Sequence, residues 1–312
     1  MTPGPVDHRS SAHHYLLAER FITPRRPLAA LEPFRVDSPA GPSCAGRAES
    51  PTPTLSSARR EDLVRRGHVA RRERDLRCRW SASGVVLTSP GLGSFRVAAD
   101  GRSIRWRAAG STVDELAAEA VLGPPLVLAL ALQGVFCLHA SALAVGDAEG
   151  ERIVAFLGDS GAGKSTLAAT IAALSSGGLN AWRDVRLAAD DILPWWPGPD
   201  LALPRFPQLK YPTDQQPSLR LPERLPFAEL VLLEPAPPDG RVVDTRLSRH
   251  QGALALLRHS VASTLFHKSL LGRHFDACSA LAATVPMRRL RVPRRPEALV
   301  EVFERLEDGP PG

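Results

Sequence analysis

The chain has 312 residues, 44% hydrophobic, 23% charged and 5% aromatic, enough to bury a sizeable core in one large domain or two. Its longest apolar run, Pro124 to Leu132, falls short of the roughly 18 to 20 residues of a membrane-spanning helix, and no basic-then-apolar signal pattern opens it, so membrane and secretory classes are set aside and a cytoplasmic protein is expected. The formal charge of +6 is local, since Ala58 to Trp80 holds nine arginines against Glu61, Asp62, Glu73 and Asp75, and the four cysteines show neither zinc nor disulfide spacing.

Residues 1–57 carry nine of the 29 prolines, and Asp37 to Ser57 is almost entirely Pro, Ser, Ala, Gly and Thr. Such a composition cannot bury enough apolar surface to offset its ordering entropy, so disorder is expected there. A short periodic piece, Tyr15, Leu16, Leu17, Phe21 and Ile22, suggests one or two helical turns. Residues 58–80 alternate arginines with acids and lack the interleaved aromatics of a stacking platform, which favours a solvated segment over nucleic-acid binding, an anionic partner being the alternative.

Residues 81–133 read as a small β-rich subdomain: strands over Gly84 to Thr88, Ser94 to Ala98 and Ser103 to Arg107, with Asp100-Gly101 as a hairpin turn. Ser111-Thr112 followed by Asp114 and Glu115 marks a capped helix to about Val121, and Pro124 to Leu132 a second, apolar one. In residues 134–308, Val135 to Val145 is a buried strand with a polar interruption at His139 and Ser141. Arg152 to Leu157 is a strand, Lys164 to Leu174 a helix, and Val185 to Ala189 a short strand ending in Asp190-Asp191. Glu229 to Leu233 is a third strand, His250 to Ala283 is mainly helical, and Glu297 to Leu306 closes as an amphipathic helix behind Pro296. The pattern is α/β.

Between the Arg152 strand and the Lys164 helix lies Gly158-Asp159-Ser160-Gly161-Ala162-Gly163-Lys164-Ser165, followed by Thr166. It satisfies GxxxxGK[ST], whose glycines turn backbone N–H groups inward and whose helix presents a positive N-terminus, so that together they hold phosphate oxygens. Lys164 would neutralise the β/γ-phosphates of a nucleotide, and Ser165 would place its hydroxyl on the bridging Mg²⁺. A chance glycine turn is the plain alternative. No guanine-reading NKxD string occurs, and Leu174-Ser175-Ser176-Gly177-Gly178 comes too soon after Lys164 to be a transporter-ATPase signature.

The pair Asp190-Asp191 stands where a second metal ligand is needed; one carboxylate suffices for the metal, and the other is free to accept a hydroxyl proton. A turn-capping Asp pair is the alternative. His139 among apolar residues reads alone as a satisfied structural histidine.

The order LHASAL, strand, GDSGAGKST, helix and AADD resembles the kinase domain of the HPr serine kinase/phosphorylase family, more closely the shortened HPr-kinase-like proteins of lasso-peptide and other peptide-modification clusters. That resemblance implies a P-loop kinase fold related to phosphoenolpyruvate carboxykinase and an active site around ATP and Mg²⁺. By it, His139 assists charge balance at the reacting phosphate, Asp190 lies on the metal side and Asp191 is the general base. Phe206-Pro207-Gln208-Leu209-Lys210 also matches the shortened branch, which makes Lys210 a candidate phosphate or peptide contact, the alternative being an exposed lysine. The chain departs from the full-length kinases at Thr166, where they carry Glu, in the 26 positions from Lys164 to Asp190, and in lacking their long glycine-containing signature. These departures weigh against a phosphorylase reaction, hexameric assembly and HPr itself as acceptor.

The expected function is transfer of the γ-phosphoryl group of ATP to a serine hydroxyl of a peptide or small protein, with a homo-oligomer allowed. The alternatives are a nucleotide-binding regulator with little turnover, a kinase of an HPr-type carrier or small metabolite, and a binder of anionic polymers.

Overall fold

Runs of period-two hydrophobicity broken by Gly, Asp and Pro give the described residues three sheets. The computed structural model describes residues 14–17, 20–22, 29–36, 43–44, 76–90, 92–107, 120–147, 150–175, 183–211, 215–237, 240–293, 295 and 297–307. The unassigned parts of residues 1–57, the Arg-rich stretch as far as residue 75, and the capped helix expected over 111–121 as far as residue 119 lie outside these.

Where a helical turn was expected, the described residues of 14–44, apart from a 3-10 helix at Ala29–Phe34, pair as strands. They are β1 (His14–Leu17), β2 (Arg20–Ile22), β3 (Arg35–Val36) and β4 (Ser43–Cys44), in the order β3-β1-β2-β4. Tyr15 stands opposite Ile22, and Tyr15 and Leu17, two residues apart, are fully buried. Their spacing suits a pleat, where alternate side chains share a face, better than a helical stripe.

The second sheet is an antiparallel meander of β5 (Arg77–Ser81), β6 (Gly84–Ser89), β7 (Gly93–Ala98) and β8 (Ile104–Arg107). β5 comes from the end of the Arg-rich stretch. It sends Arg77 and Arg79 to solvent, while Cys78 and Trp80 are half-buried. The β7–β8 turn at Asp100-Gly101 needs its glycine: φ is +70°, and a Cβ would meet the Ala129 carbonyl oxygen at 2.3 Å.

The third sheet is mixed and has seven strands, with α1 (Pro124–Leu132) packed against it. In chain order follow β9 (Phe136–Asp147), β10 (Gly150–Leu157), α2 (Lys164–Ser175), β11 (Arg183–Trp196), β12 (Leu201–Ala202), β13 (Leu225–Ala236), β14 (Val243–Arg246), α3 (Arg249–Arg258), α4 (Lys268–Thr284), β15 (Met287–Pro293) and α5 (Glu297–Glu307). The strand order is β10-β9-β11-β12-β13-β15-β14, with β13 also pairing β10 in parallel, so five strands form a closed circuit. β11 does not stop at the aspartate pair, as the sequence suggested, but runs through it to Trp196. The apolar run Leu193 to Trp195, pairing with Phe136 to Leu138, carries it on.

Both faces of this sheet are covered. Along β10, Ile153, Ala155 and Leu157 join one buried cluster and Val154 and Phe156 the other, and β13 alternates likewise from Leu230 to Leu233. α2 and α5 cover one face through Leu167, Ile171, Val302 and Phe303. α1, α3, α4 and the β5–β8 sheet cover the other, in a single continuous core. Beneath α5, Arg288 is fully buried and paired bidentately with Glu229 at 2.6 and 2.8 Å and with Asp244 at 2.8 Å. No helix among the described residues is long and apolar enough to cross a membrane.

Candidate functional site

β10 delivers the chain to the glycine loop Gly158–Ser165, and α2 leaves from it. At Gly158 φ is +149° and a Cβ would lie 2.7 Å from the Leu233 carbonyl oxygen. Gly161 and Gly163 have open space around them but φ of +81° and +93°, which side chains rarely adopt. Among the described residues the amides of Gly163, Lys164, Ser165 and Thr166 meet no backbone acceptor. Those donors and the positive end of α2 are thus available to an anion. Asp159 and Ser160 are exposed, and the Ala162 amide donates to Asp159 O at 3.1 Å, closing the turn.

Lys164 is buried, its ammonium donating to Gly158 O at 2.7 Å and Asp159 O at 3.1 Å. Burial and then the charge of Lys210 pull its pKa below the usual lysine range, against the opposing pull of Asp191, Asp159 and Asp190.

The acids and the histidine come from two paired strands. Asp190 stands opposite Ser141, Asp191 opposite Ala140 and Ile192 opposite His139. Asp190 is buried: its Oδ1 accepts from Ser165 Oγ at 2.5 Å and Ser141 Oγ at 2.8 Å. Regular alternation would turn Asp191 toward the core, where Ala140 is fully buried. Instead Asp191 has φ +149°, and its Oδ1 lies 3.3 Å from His139 Nε2. Burial raises the Asp191 pKa, but the His139 hydrogen bond and the charges of Lys210, His139 and Lys164 outweigh it, so the carboxyl is more acidic than usual.

Lys210 spans the pair, 3.6 Å from Asp190 Oδ1 and 3.8 Å from Asp191 Oδ1. Its loop is tied down by buried glutamines. Gln208 accepts from the Asp190 amide at 2.8 Å and donates to Ile192 O at 3.0 Å and Phe206 O at 3.1 Å. Gln216 in turn accepts from the Gln208 amide and donates to Gln208 O and Tyr211 O. The Tyr211 hydroxyl lies 3.4 Å from Asp190 Oδ2.

β10 follows β9 only as far as Ser141, and past that point residues 259–261 take its place. The His139 amide donates to His259 O at 2.7 Å, Ser260 bridges Leu138, and the Val261 amide donates to Cys137 O at 2.9 Å. This brings in two residues that local sequence did not mark. Arg258 contacts the Asp159 carboxylate at 2.7 Å, and His259 is held neutral by burial, its pKa about 4. Ser141, Gln208 and Tyr211 were also missed as site residues. The glutamine lies inside the FPQLK segment already singled out, while Arg258 and His259 arrive through a tertiary contact with no local signature.

All the residues expected from sequence therefore converge: the glycine loop, Lys164, Ser165, Asp190, Asp191, His139 and Lys210. Their donor set fits Mg-nucleotide. The described residues hold no cluster of three His, Cys, Asp or Glu able to cage a metal, but Mg²⁺ with a nucleotide takes one or two protein oxygens, the rest coming from phosphate and water. Ser165 Oγ and Asp190 Oδ1, converging at 2.5 Å, are two such oxygens. A separate cleft of about 380 Å³ lined by Trp80 and His267 shares no residue with this site. No family model matches the chain, and no curated protein matches it.

Proposed function

We propose that the protein is an ATP-dependent kinase that transfers the γ-phosphoryl group to a serine hydroxyl of a peptide or small protein, on a P-loop domain of the HPr-kinase type. The observation that carries this reading is the meeting of Asp190, Asp191 and His139 beside Lys164 and Ser165. A nucleotide holder alone has no use for a second, strained carboxylate aimed at the same place.

Ser165 and Asp190 would hold Mg²⁺, which supplies positive charge to the phosphates when bound. Lys164 exchanges its loop carbonyls for phosphate oxygens. Asp191, half-buried where Asp190 is closed in, receives the proton of the acceptor hydroxyl as the serine Oγ–P bond forms and the bond from the γ-phosphorus to the ADP oxygen breaks. A carboxylate as acidic as Asp191 takes that proton late, which suits a loose transition state in which positioning counts for more than basicity. His139 orients Asp191, and Lys210 balances the paired acids.

The test is incubation with γ-labelled ATP, Mg²⁺ and an array of serine peptides. Label on serine that vanishes in Asp191→Asn supports the reading. ATP bound tightly, with neither hydrolysis nor transfer across the array, refutes it.

A further inference from the structure

We infer that the outer face of the β5–β8 sheet is a docking surface for an extended acidic polypeptide segment, the acceptor's own; only that last identification rests on the phosphotransfer reading. The four strands contain five arginines and not one Asp or Glu. Pairing sets Arg79, Val86, Arg96 and Arg105 in one row across the sheet, and Arg77, Thr88, Ser94 and Arg107 in the next. All five arginines are exposed, whereas Val85, Leu87, Phe95, Val97, Ile104 and Trp106, in the opposite phase, are buried. Among the described residues none of the five has an ion-pair or hydrogen-bond partner.

Arg96 and Arg105 face one another directly on adjacent strands. Like charges so placed oppose folding, and among the described residues no acid relieves them, so this face is suited to an anion from outside. An extended chain presents alternate side chains on one side about 7 Å apart, the same interval as Arg77 to Arg79 along β5. Carboxylates at that spacing accept paired guanidinium hydrogen bonds from successive arginines. Nucleic acid fits less well, because sheets that bind single strands offer aromatic faces for bases to stack on. Here the tryptophans turn inward: Trp106 Nε1 donates to Leu92 O at 3.0 Å and Trp80 Nε1 to Leu265 O at 2.8 Å.

Fluorescence anisotropy on the full chain tests this with a fluorescein-labelled peptide of alternating Glu and Ser, its Gln-for-Glu counterpart and an oligothymidylate of equal length. The acidic peptide is expected to bind tightest, to weaken as salt rises, and to lose about tenfold or more in affinity in the triple variant Arg79→Gln, Arg96→Gln, Arg105→Gln. Arg273→Gln, an exposed change on α4, is expected to leave it unchanged. Equal binding of the neutral peptide, tighter binding of oligothymidylate, or unaltered affinity in a folded triple variant overturns the inference. A fluorescent ATP analogue, titrated into the same proteins, separates the two readings: no nucleotide binding alongside intact acidic-peptide binding sinks phosphotransfer and leaves the docking face standing.

Discussion

Asp190 and Asp191 are consecutive residues of one strand, yet both carboxylates come within 4 Å of the Lys210 ammonium. Neighbours in a pleat point to opposite faces, and only the φ of +149° at Asp191 brings them to the same one. A non-glycine residue held there costs on the order of 1–3 kcal/mol, strain of the kind that gathers at functional sites.

Asp191→Gly should relieve that strain and Asp191→Ala should keep it, while both remove the carboxylate. The glycine variant is expected to be more stable than the alanine variant by about 1 kcal/mol, after the entropy cost of glycine in the unfolded chain. Both should be inactive. Urea melts compared with transfer assays check the pair, and equal stability of the two would show that the backbone at 191 is relaxed.

Lys164→Ala removes the one ammonium seated in the loop. Clamps of this kind are worth about 3 to 4 kcal/mol of transition-state stabilisation, so transfer should fall by about 10²- to 10³-fold. Single-turnover assays at saturating ATP measure this, and undiminished transfer would take Lys164 out of the mechanism.

Gln208→Ala severs three hydrogen bonds of a buried side chain and leaves the Asp190 amide and two carbonyls without this partner. A loss of about 2–3 kcal/mol is expected. Because the same glutamine anchors the loop of Lys210, activity should drop even below the melting temperature. A variant that is destabilised but fully active at low temperature would confine Gln208 to a structural role.

What the sequence made legible, and what it hid, divide by range. The glycine loop is a local motif with its strand and helix on either side, and the aspartate pair and His139 sit at readable spacings from it. The extension of β11 through the pair was hidden because Asp190-Asp191 looks like a turn, and its continuation depends on Leu193 to Trp195 finding Phe136 to Leu138, some sixty residues earlier. The hairpin of β1 and β2 was misread because five apolar residues fit a helical stripe and a pleat about equally well. Arg258 and His259 reach the loop only because residues 259–261 replace β10 beside β9, a long-range pairing with no local pattern.

Acid should weaken the fold well above the carboxylate range. His274 is fully buried against Phe136 and Phe266, hydrogen-bonded to Ser260 at 2.8 Å, with Nδ1 unpartnered among the described residues, and burial lowers its pKa to about 4. Between pH 6.5 and about 4 the unfolded chain binds the proton that the folded chain refuses, so stability falls as the pH drops through that window, by about 3 kcal/mol for this one group. Denaturation midpoints against pH should show this slope, shallower in His274→Gln; identical slopes would assign the acid sensitivity elsewhere.

Arg288→Ala strands Glu229 and Asp244 beneath α5. Burial already raises the Glu229 pKa, with Arg288 pulling the other way, and without the guanidinium that pKa should rise further. A loss of about 3–5 kcal/mol is expected, partly recovered at low pH where the orphaned Glu229 is neutral. Thermal melts at two pH values test the direction of that recovery.

The ladder β10-β9-β11-β12-β13 that returns to β10 has a consequence for how the site ages under mutation. In an open sheet a strand can slip by two residues and keep its faces. In a ring, sliding one member breaks ladders on both its flanks, so the relative phase of β9 and β11 is fixed also through β12 and β13. Substitutions far around the ring, at the two residue pairs on each side of β12, are therefore where a slow loss of alignment between Ser141 and Asp190 would begin.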